Sequence, residues 1–178
     1  MKQTAIINSE IKARCDDQEA VRHYLREHGA DFKGTDHQID TYFDVPEGRL
    51  KLRQGPIENN LIFYQRADTD GPKQSTINLS PVAPDSTIGE VLTAALGVRV
   101  IVDKQREIYF IDNVKFHIDT VQGLGNFVEI EAIDTDGKRN AKELEDQCSY
   151  YMRELGIKAI DLVVGSYSDL LEGAALSH

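Results

Sequence analysis

Residues 114–133 read VKFHIDTVQGLGNFVEIEAI. The first part, 114–122, alternates: Lys115, His117 and Asp119 fall on one side, Phe116 and Ile118 on the other. GLG at 123–125 is a turn signal. Residues 126–133 alternate again, with Glu129 and Glu131 on one face and Val128 and Ile130 on the other. Two strands joined by so short a turn run antiparallel. Each has an apolar face that needs cover and a face that is almost wholly charged.

The same pattern extends outward. Upstream, VRVIVDKQREIYFI (98–111) reads as a long strand with Lys104 and Arg106 on one face, and Asp112-Asn113 turns it into the next strand. Strands are also expected at 3–14, 36–44, 49–53, 60–67 and 74–82. RLKLR at 49–53 sets Arg49, Lys51 and Arg53 opposite Leu50 and Leu52. Residues 8–14 set Asn8, Glu10, Lys12 and Arg14 on one side and Ser9, Ile11 and Ala13 on the other. Tyr64 and Arg66 share a face of theirs. Helical spacing marks a helix from an Asp16 cap to about His28, another at 86–96 with Ser86 as cap, and an amphipathic one at 139–155. That last helix has Ala141, Leu144, Cys148, Tyr151, Met152 and Leu155 on its stripe. A last short helix starts near Ser166. About eight strands joined by short turns, with three or four helices, make an α+β protein built on one antiparallel sheet.

The 178 residues suit a single domain, expected at 1–172 with a short tail at 173–178. A formal charge of −10 argues against nucleic acid or an anionic membrane as partner unless the basic residues are gathered in one place. No apolar run approaches a membrane span, and the N-terminal stretch lacks a signal-peptide core. Cys15 and Cys148 lie far apart and read as free thiols in a reducing cytoplasm. Neither common phosphate-cradling glycine loop is present, and no pair among His23, His28, His37, His117 and His178 has metal-ligand spacing. The DTDG stretches at 68–71 and 134–137 read as turns rather than calcium loops.

The charged faces admit two readings. A one-sided sheet turns them to water. Alternatively, eight strands close into a barrel and turn them inward. The segregation of sign by strand favours the second. An inward face would collect Lys12, Arg14, Arg49, Lys51, Arg53, Arg66, Lys104 and Arg106, with Glu10, Asp119, Glu129 and Glu131. So many charges cannot be buried dry, so such an interior calls for water, metal and a polyanionic ligand.

Several stretches together resemble one family. NSEIKAR, QIDTYFD (38–44), GRLKLRQ (48–54), LIFYQRAD (61–68), DKQREIYF (103–110), FHIDTVQGLGNFVEIEA (116–132) and GSYSDLL (165–171) are similar to the CYTH domain, the triphosphate tunnel metalloenzymes. That family includes class IV adenylate cyclases, thiamine triphosphatases and inorganic triphosphatases. The resemblance implies an eight-stranded antiparallel barrel, closed or nearly closed as a tunnel, with helices packed outside. It implies divalent-metal-dependent chemistry on a small-molecule triphosphate (ATP, thiamine triphosphate or tripolyphosphate). The cofactor would be Mg²⁺ or Mn²⁺, the setting cytoplasmic, and the assembly a monomer or homodimer. A non-catalytic triphosphate-binding module is the alternative.

In the implied site, Glu10, Asp119, Glu129, Glu131 and Asn8 are the metal ligands. Arg14, Arg49, Lys51, Arg53, Arg66, Lys104 and Arg106 grip phosphates, and Lys12 and Tyr64 serve the chemistry. His117 reads as structural or as a phosphate contact. One departure stands out: the family opens on ExExK, whereas this chain has Asn8-Ser9-Glu10-Ile11-Lys12. The first carboxylate is an amide, which ligates through oxygen without adding charge.

Overall fold

In the computed structural model, which describes residues 6–66 and 72–177, alternation along the chain has become an inside and an outside. Eight antiparallel strands close into one barrel: β1 (Ile6–Arg14), β2 (Asp31–Phe43), β3 (Arg49–Gln54), β4 (Asn60–Arg66), β5 (Lys73–Pro81), β6 (Val98–Ile111), β7 (Val114–Val121) and β8 (Gly125–Ile133). Their order around the barrel is β1-β5-β4-β3-β2-β6-β7-β8, and β1 closes the ring by pairing with both β5 and β8. The turn between β7 and β8 needs left-handed backbone at Gly123 (φ 80°) and Gly125 (φ 99°), which glycine adopts without steric cost.

β2 starts at Asp31, five residues before the expected start. Asp31–Thr35 carries little apolar alternation, yet it pairs with the far end of β6 through a register shift between Phe32 and Gly34. A strand recruited by its neighbour's length leaves a weak mark in its own sequence.

Four α-helices form where the sequence places them: α1 (Gln18–Glu27), α2 (Ile88–Leu96), α3 (Ala141–Glu154) and α4 (Tyr167–Ala175), with a 3₁₀ turn at Ala159–Asp161. The cap of α1 is Asp17 rather than Asp16. Its carboxylate accepts the Ala20 N–H at 3.0 Å. Thr87 caps α2 without a side-chain bond, while Ser86 Oγ takes the Ile88 N–H at 3.2 Å. Asn140 with Glu143, and Ser166 with Asp169, form reciprocal capping boxes on α3 and α4. α4 continues past residue 172, where the sequence suggests a tail.

The main core lies outside the barrel wall. Ile11, Ala13, Phe116, Ile118, Val128 and Ile130 pack against Val21 and Leu25 of α1 and Leu144 and Cys148 of α3. Each large side chain so buried contributes roughly 2 kcal/mol. The opposite face of the same strands is thereby turned inward. Arg53 and Lys104, 8% and 1% exposed, meet inside the barrel on Asp40.

α4 departs from the expectation that helices pack only outside: its first turn enters one mouth of the barrel, and Tyr167 lies buried against Phe127 of β8. Cys15 and Cys148 are free thiols. The turn at Asp134 is held by its carboxylate, which accepts the N–H groups of Lys138 (3.1 Å) and Arg139 (3.3 Å). Residues 68–71, the first residues of the expected 3–14 strand and His178 lie outside the described residues. Among the described residues no helix is long and apolar enough to cross a membrane.

Candidate functional site

The barrel encloses a cavity of about 190 Å³. Its two halves differ in chemistry because they are built from different strands. β2, β3, β6, β7 and β8 contribute Asp40, Lys51, Arg53, Lys104, Arg106, Lys115, His117, Glu129 and Glu131. The wall made by β4 and β5, extended by Ile6 at the start of β1, is mostly apolar. There Ile6 pairs with Ile77, which pairs with Tyr64, and Leu79 pairs with Ile62. Ile133 of β8 joins this patch beside Asn8.

Three ion-paired clusters organise the charged half. Asp40 accepts Arg53 Nε (2.9 Å) and Nη2 (2.8 Å) and Lys104 Nζ (2.8 Å), with Lys51 Nζ at 3.3 Å. Burial pushes the Asp40 carboxyl up, but Arg53, Lys104 and Lys51 outweigh burial and hold it well below the usual range. Burial pushes Lys104 down to about 7, because Arg53, Arg106 and Lys51 crowd it and Asp40 offsets only part of the cost.

The second cluster centres on Glu129, which meets Lys12 (3.2 Å), Arg106 (3.0 Å) and His117 Nδ1 (2.9 Å). Burial would raise its carboxyl; Arg106, Lys12 and His117 bring it well below the ordinary value. Burial and Arg106 push His117 down to about 4, so its ring is neutral near pH 7. Nδ1 then donates to Glu129, and Nε2 is buried without a partner among the described residues.

The third cluster sits under Glu58, from the loop between β3 and β4. It pairs with Arg53 (3.1 Å) and with Lys115.

Beside these lies a corner of acceptors. Glu10 and Glu131 are register partners on β1 and β8. Asn8 donates Nδ2 to Glu131 at 2.8 Å, and Asn8 Oδ1, on a residue 1% exposed, has no partner among the described residues. Burial raises the Glu131 carboxyl, and Glu10 and Glu129 raise it further against Lys115 and Asn8.

Of the residues singled out from sequence, Asn8, Glu10, Lys12, Lys51, Arg53, Tyr64, Lys104, Arg106, Glu129 and Glu131 line the one cavity. Three do not. Asp119 is buried outside it, with Arg106 at 2.7 and 2.6 Å and the Tyr167 hydroxyl at 2.7 Å taking both its oxygens. Arg49 turns to α4 and pairs with Asp169 at 2.7 Å. Arg14 is exposed at the end of β1 and donates to the Leu124 carbonyl at 3.2 Å. All three have the inward parity; Arg14 and Arg49 sit at strand ends, where the barrel no longer encloses them, whereas Asp119 stays buried behind Arg106 and Tyr167. The side chain of Arg66 lies outside the described residues.

Sequence reasoning missed Asp40, Glu58, Lys115 and Tyr167 as lining residues. The alternation of QIDTYFD would have shown Asp40 facing inward beside Tyr42. No periodicity marks Glu58, which sits on a loop. The interior is consequently far less positive than the basic strands suggest. Among the described residues, six Lys and Arg face five Asp and Glu.

The donor set fits a hard cation at the acceptor corner: two carboxylates and an unpartnered amide oxygen, in a spot that already disfavours the Glu131 anion. Glu129 fits less well, since three donors already neutralise it, and Asp119 lies away from the cavity. Among the described residues no three His, Cys, Asp or Glu side chains converge as a ready-made metal cluster.

A model of the CYTH domain family matches residues 7–167. A protein of Methanocaldococcus jannaschii, whose name proposes adenylate cyclase activity for it, is 27% identical over 173 residues, 93% of this chain and 98% of its own. The solved PH1012 protein of Pyrococcus horikoshii OT3 is 26% identical with a TM-score of 0.78, over 92% of this chain and 98% of its own. A Hippeastrum protein, described as a proposed adenylyl cyclase with a dominant triphosphatase activity, shares the fold. It is 14% identical with a TM-score of 0.63, over 95% of this chain and 96% of its own.

Proposed function

The chain belongs to the CYTH domain family, and from that premise we propose that it is a divalent-metal-dependent enzyme acting on the phosphoanhydride of an organic triphosphate. One observation carries this reading: a cavity inside the closed barrel with a cationic half, an acceptor corner and an apolar wall. Phosphate oxygens suit Lys51, Arg53, Lys104, Arg106 and Lys115, where Arg offers a planar fork and Lys a point charge. The wall of Ile6, Ile62, Tyr64, Ile77 and Leu79 would sit idle against bare tripolyphosphate. It suits a ring system such as a nucleobase or thiamine. Lys51 marks the seam between the halves, its Nζ 5.4 Å from the Tyr42 ring centre and 5.5 Å from that of Tyr64.

Glu10, Glu131 and Asn8 would hold Mg²⁺ or Mn²⁺. Such an ion neutralises charge on the phosphate chain and activates an oxygen nucleophile. The chain's own residues do the rest. Lys12, held at 3.2 Å from Glu129 and over the Tyr167 ring at 4.1 Å, is fixed in place to meet charge on the phosphoryl group being transferred. Arg106, anchored by Asp119, and Arg53, anchored by Asp40, cannot swing away, so the phosphate chain binds in one orientation. Tyr64, at 8% exposed, gives the organic group an aromatic face. Attack by water at the terminal phosphorus releases phosphate. Attack by a ribose hydroxyl at the first phosphorus closes a cyclic nucleotide and releases pyrophosphate.

The name of the M. jannaschii relative supports the cyclase branch. Asn8 in place of the family's first glutamate favours a second reading, a module that binds triphosphates without turning them over. ATP, thiamine triphosphate and tripolyphosphate are to be incubated with Mg²⁺ or Mn²⁺, assaying phosphate, pyrophosphate and cyclic AMP together. The expected result is turnover of an organic triphosphate, faster than tripolyphosphate and lost in EDTA. Tight binding with no product in any channel would leave only the binding module, and tripolyphosphate as the best substrate would refute the role of the apolar wall.

A further inference from the structure

The loop between β3 and β4, residues 55–59, carries a carboxylate into the barrel. Asp36, fully buried on β2, accepts the N–H groups of Ile57 and Glu58, both at 2.9 Å, and so fixes the loop backbone against the barrel. Gly55 permits that approach: a Cβ there would stand 2.7 Å from the Asp36 oxygens. With its backbone held, Glu58 reaches the cavity. One oxygen meets Arg53 Nη1 at 3.1 Å and Gln38 Nε2 at 3.0 Å, and the other pairs with Lys115. Arg53 and Lys115 stand on β3 and β7, with β2 and β6 between them around the barrel, so the carboxylate bridges the lumen. These are the donors a phosphate oxygen would use, in the same charge-assisted geometry.

Asp40 also holds lumen cations, but its short side chain sits on a strand at 1% exposure and cannot leave. Glu58 differs. Its side chain is 18% exposed and turns about three bonds, so it can withdraw toward solvent while Asp36 keeps the backbone in place.

We propose that Glu58 is an internal competitor for the phosphate chain: its carboxylate occupies Arg53 and Lys115 in the unliganded protein and must be displaced when a triphosphate binds. The consequence is selection by charge. A ligand with few phosphates cannot offset the loss of the Glu58 pairs, whereas a triphosphate can. The inference rests on the triphosphate reading above.

The test is calorimetric titration of the whole chain with ATP, and separately with tripolyphosphate, in EDTA so that neither metal nor turnover intervenes. Glu58→Gln should bind both about tenfold more tightly than wild type, the scale of one charged hydrogen-bond pair. Its melting temperature without ligand should fall, since Arg53 and Lys115 lose a partner. A merely structural Glu58 would lower the melting temperature and leave affinity unchanged or weaker, and that result overturns the proposal. Glu58→Asp keeps the charge but is too short to bridge both cations. It should also bind more tightly than wild type, and it decides the matter if Glu58→Gln does not fold. If wild type and variants alike bind neither ligand, in EDTA or when the titration is repeated with Mg²⁺, the triphosphate reading itself falls. If wild type binds and the variants bind no better, the Glu58 inference fails alone.

Discussion

Glu129 and Glu131 sit two residues apart on one face of β8, about 6.8 Å by strand geometry, and their surroundings are opposite. Glu129 satisfies three donors; Glu131 faces Glu10 across the ladder. Sequence treats them as a matched metal pair, and the structure predicts different consequences for each. Glu129→Gln leaves Lys12 and Arg106 short of a buried counter-charge and should cost about 3–5 kcal/mol in urea unfolding. Glu131→Gln removes a disfavoured anion and should leave stability unchanged or raise it, while Mg²⁺- or Mn²⁺-dependent turnover is lost. Equal destabilisation of the two variants would contradict these assignments.

Asn8 belongs to the same corner. Asn8→Glu adds a third carboxylate beside Glu10 and Glu131, so the metal-free protein should melt lower and bind tripolyphosphate more weakly, and the metal needed for half-maximal activity should fall. The opposed signs separate this from a general loss of stability. Unchanged affinity for both ligands would mean that Asn8 takes no part in cation binding.

Lys104 supplies the pH dependence. Its folded value, about 7, lies below the ordinary lysine value of 10.5, so between those two the unfolded chain binds a proton that the folded one does not. Stability from this group therefore rises with pH across that interval, by at most ~1.4 kcal/mol per unit. Lys104→Met should flatten that part of the melting-temperature profile. A bound triphosphate adds anions beside the amine and pushes its pKa back up, so binding near pH 8 should take up protons. Titration in two buffers of different ionisation enthalpy measures this, and a buffer-independent heat would contradict it.

Among the helices, α4 is the one whose first turn lines the cavity, through Ser166 and Tyr167. Its cap, Ser166, bonds the Asp169 N–H, and Asp169 in turn pairs with Arg49. Ser166→Ala should cost about 1 kcal/mol and also weaken triphosphate binding, because Tyr167 beneath Lys12 is positioned by that first turn. Loss of stability with unaltered ligand affinity would show that α4 is a cover only. The helix itself was legible in sequence, as a short helix starting near Ser166. Its entry into the barrel was not, because the apolar residues of so short a helix suit an outer groove equally well. β2 teaches the converse: Asp31–Thr35 is strand only because β6 is long enough to pair with it.

For the whole molecule, the corrected charge balance changes what a ligand must do. Eight inward cations against four anions would repel one another, and a polyanion would bind by relieving that strain. With Asp40 and Glu58 included, most lumen cations already have partners, so binding exchanges ion pairs rather than creating them. ATP or tripolyphosphate at millimolar concentration should still raise the melting temperature, by a few degrees, and about 0.5 M salt should remove most of the gain. No shift at low salt, with or without Mg²⁺, would exclude triphosphate binding of any kind.

The sequence by itself determined eight two-faced strands. Period-two alternation in eight segments joined by short turns commits the apolar face of each strand to the core that the amphipathic helices cover, while the charged face suits water or a lumen alike; the resemblance to the CYTH domain pointed to the lumen, and closure of β1 onto β5 and β8 made it one. Alternation also determined that Lys51, Arg53, Lys104, Arg106, Glu129 and Glu131 share the face opposite the core, because parity survives folding. Tertiary structure alone decided which of them are available. Closure sets how far along each strand the lumen extends, which turned Arg14 and Arg49 away, and Arg106 with Tyr167 covers Asp119. Pairing partners come from strands and loops remote in the chain, so Asp40 and Glu58 could neutralise cations that looked free. Parity is a local property of the backbone; charge compensation depends on distances across the barrel, and these exist only once it has closed.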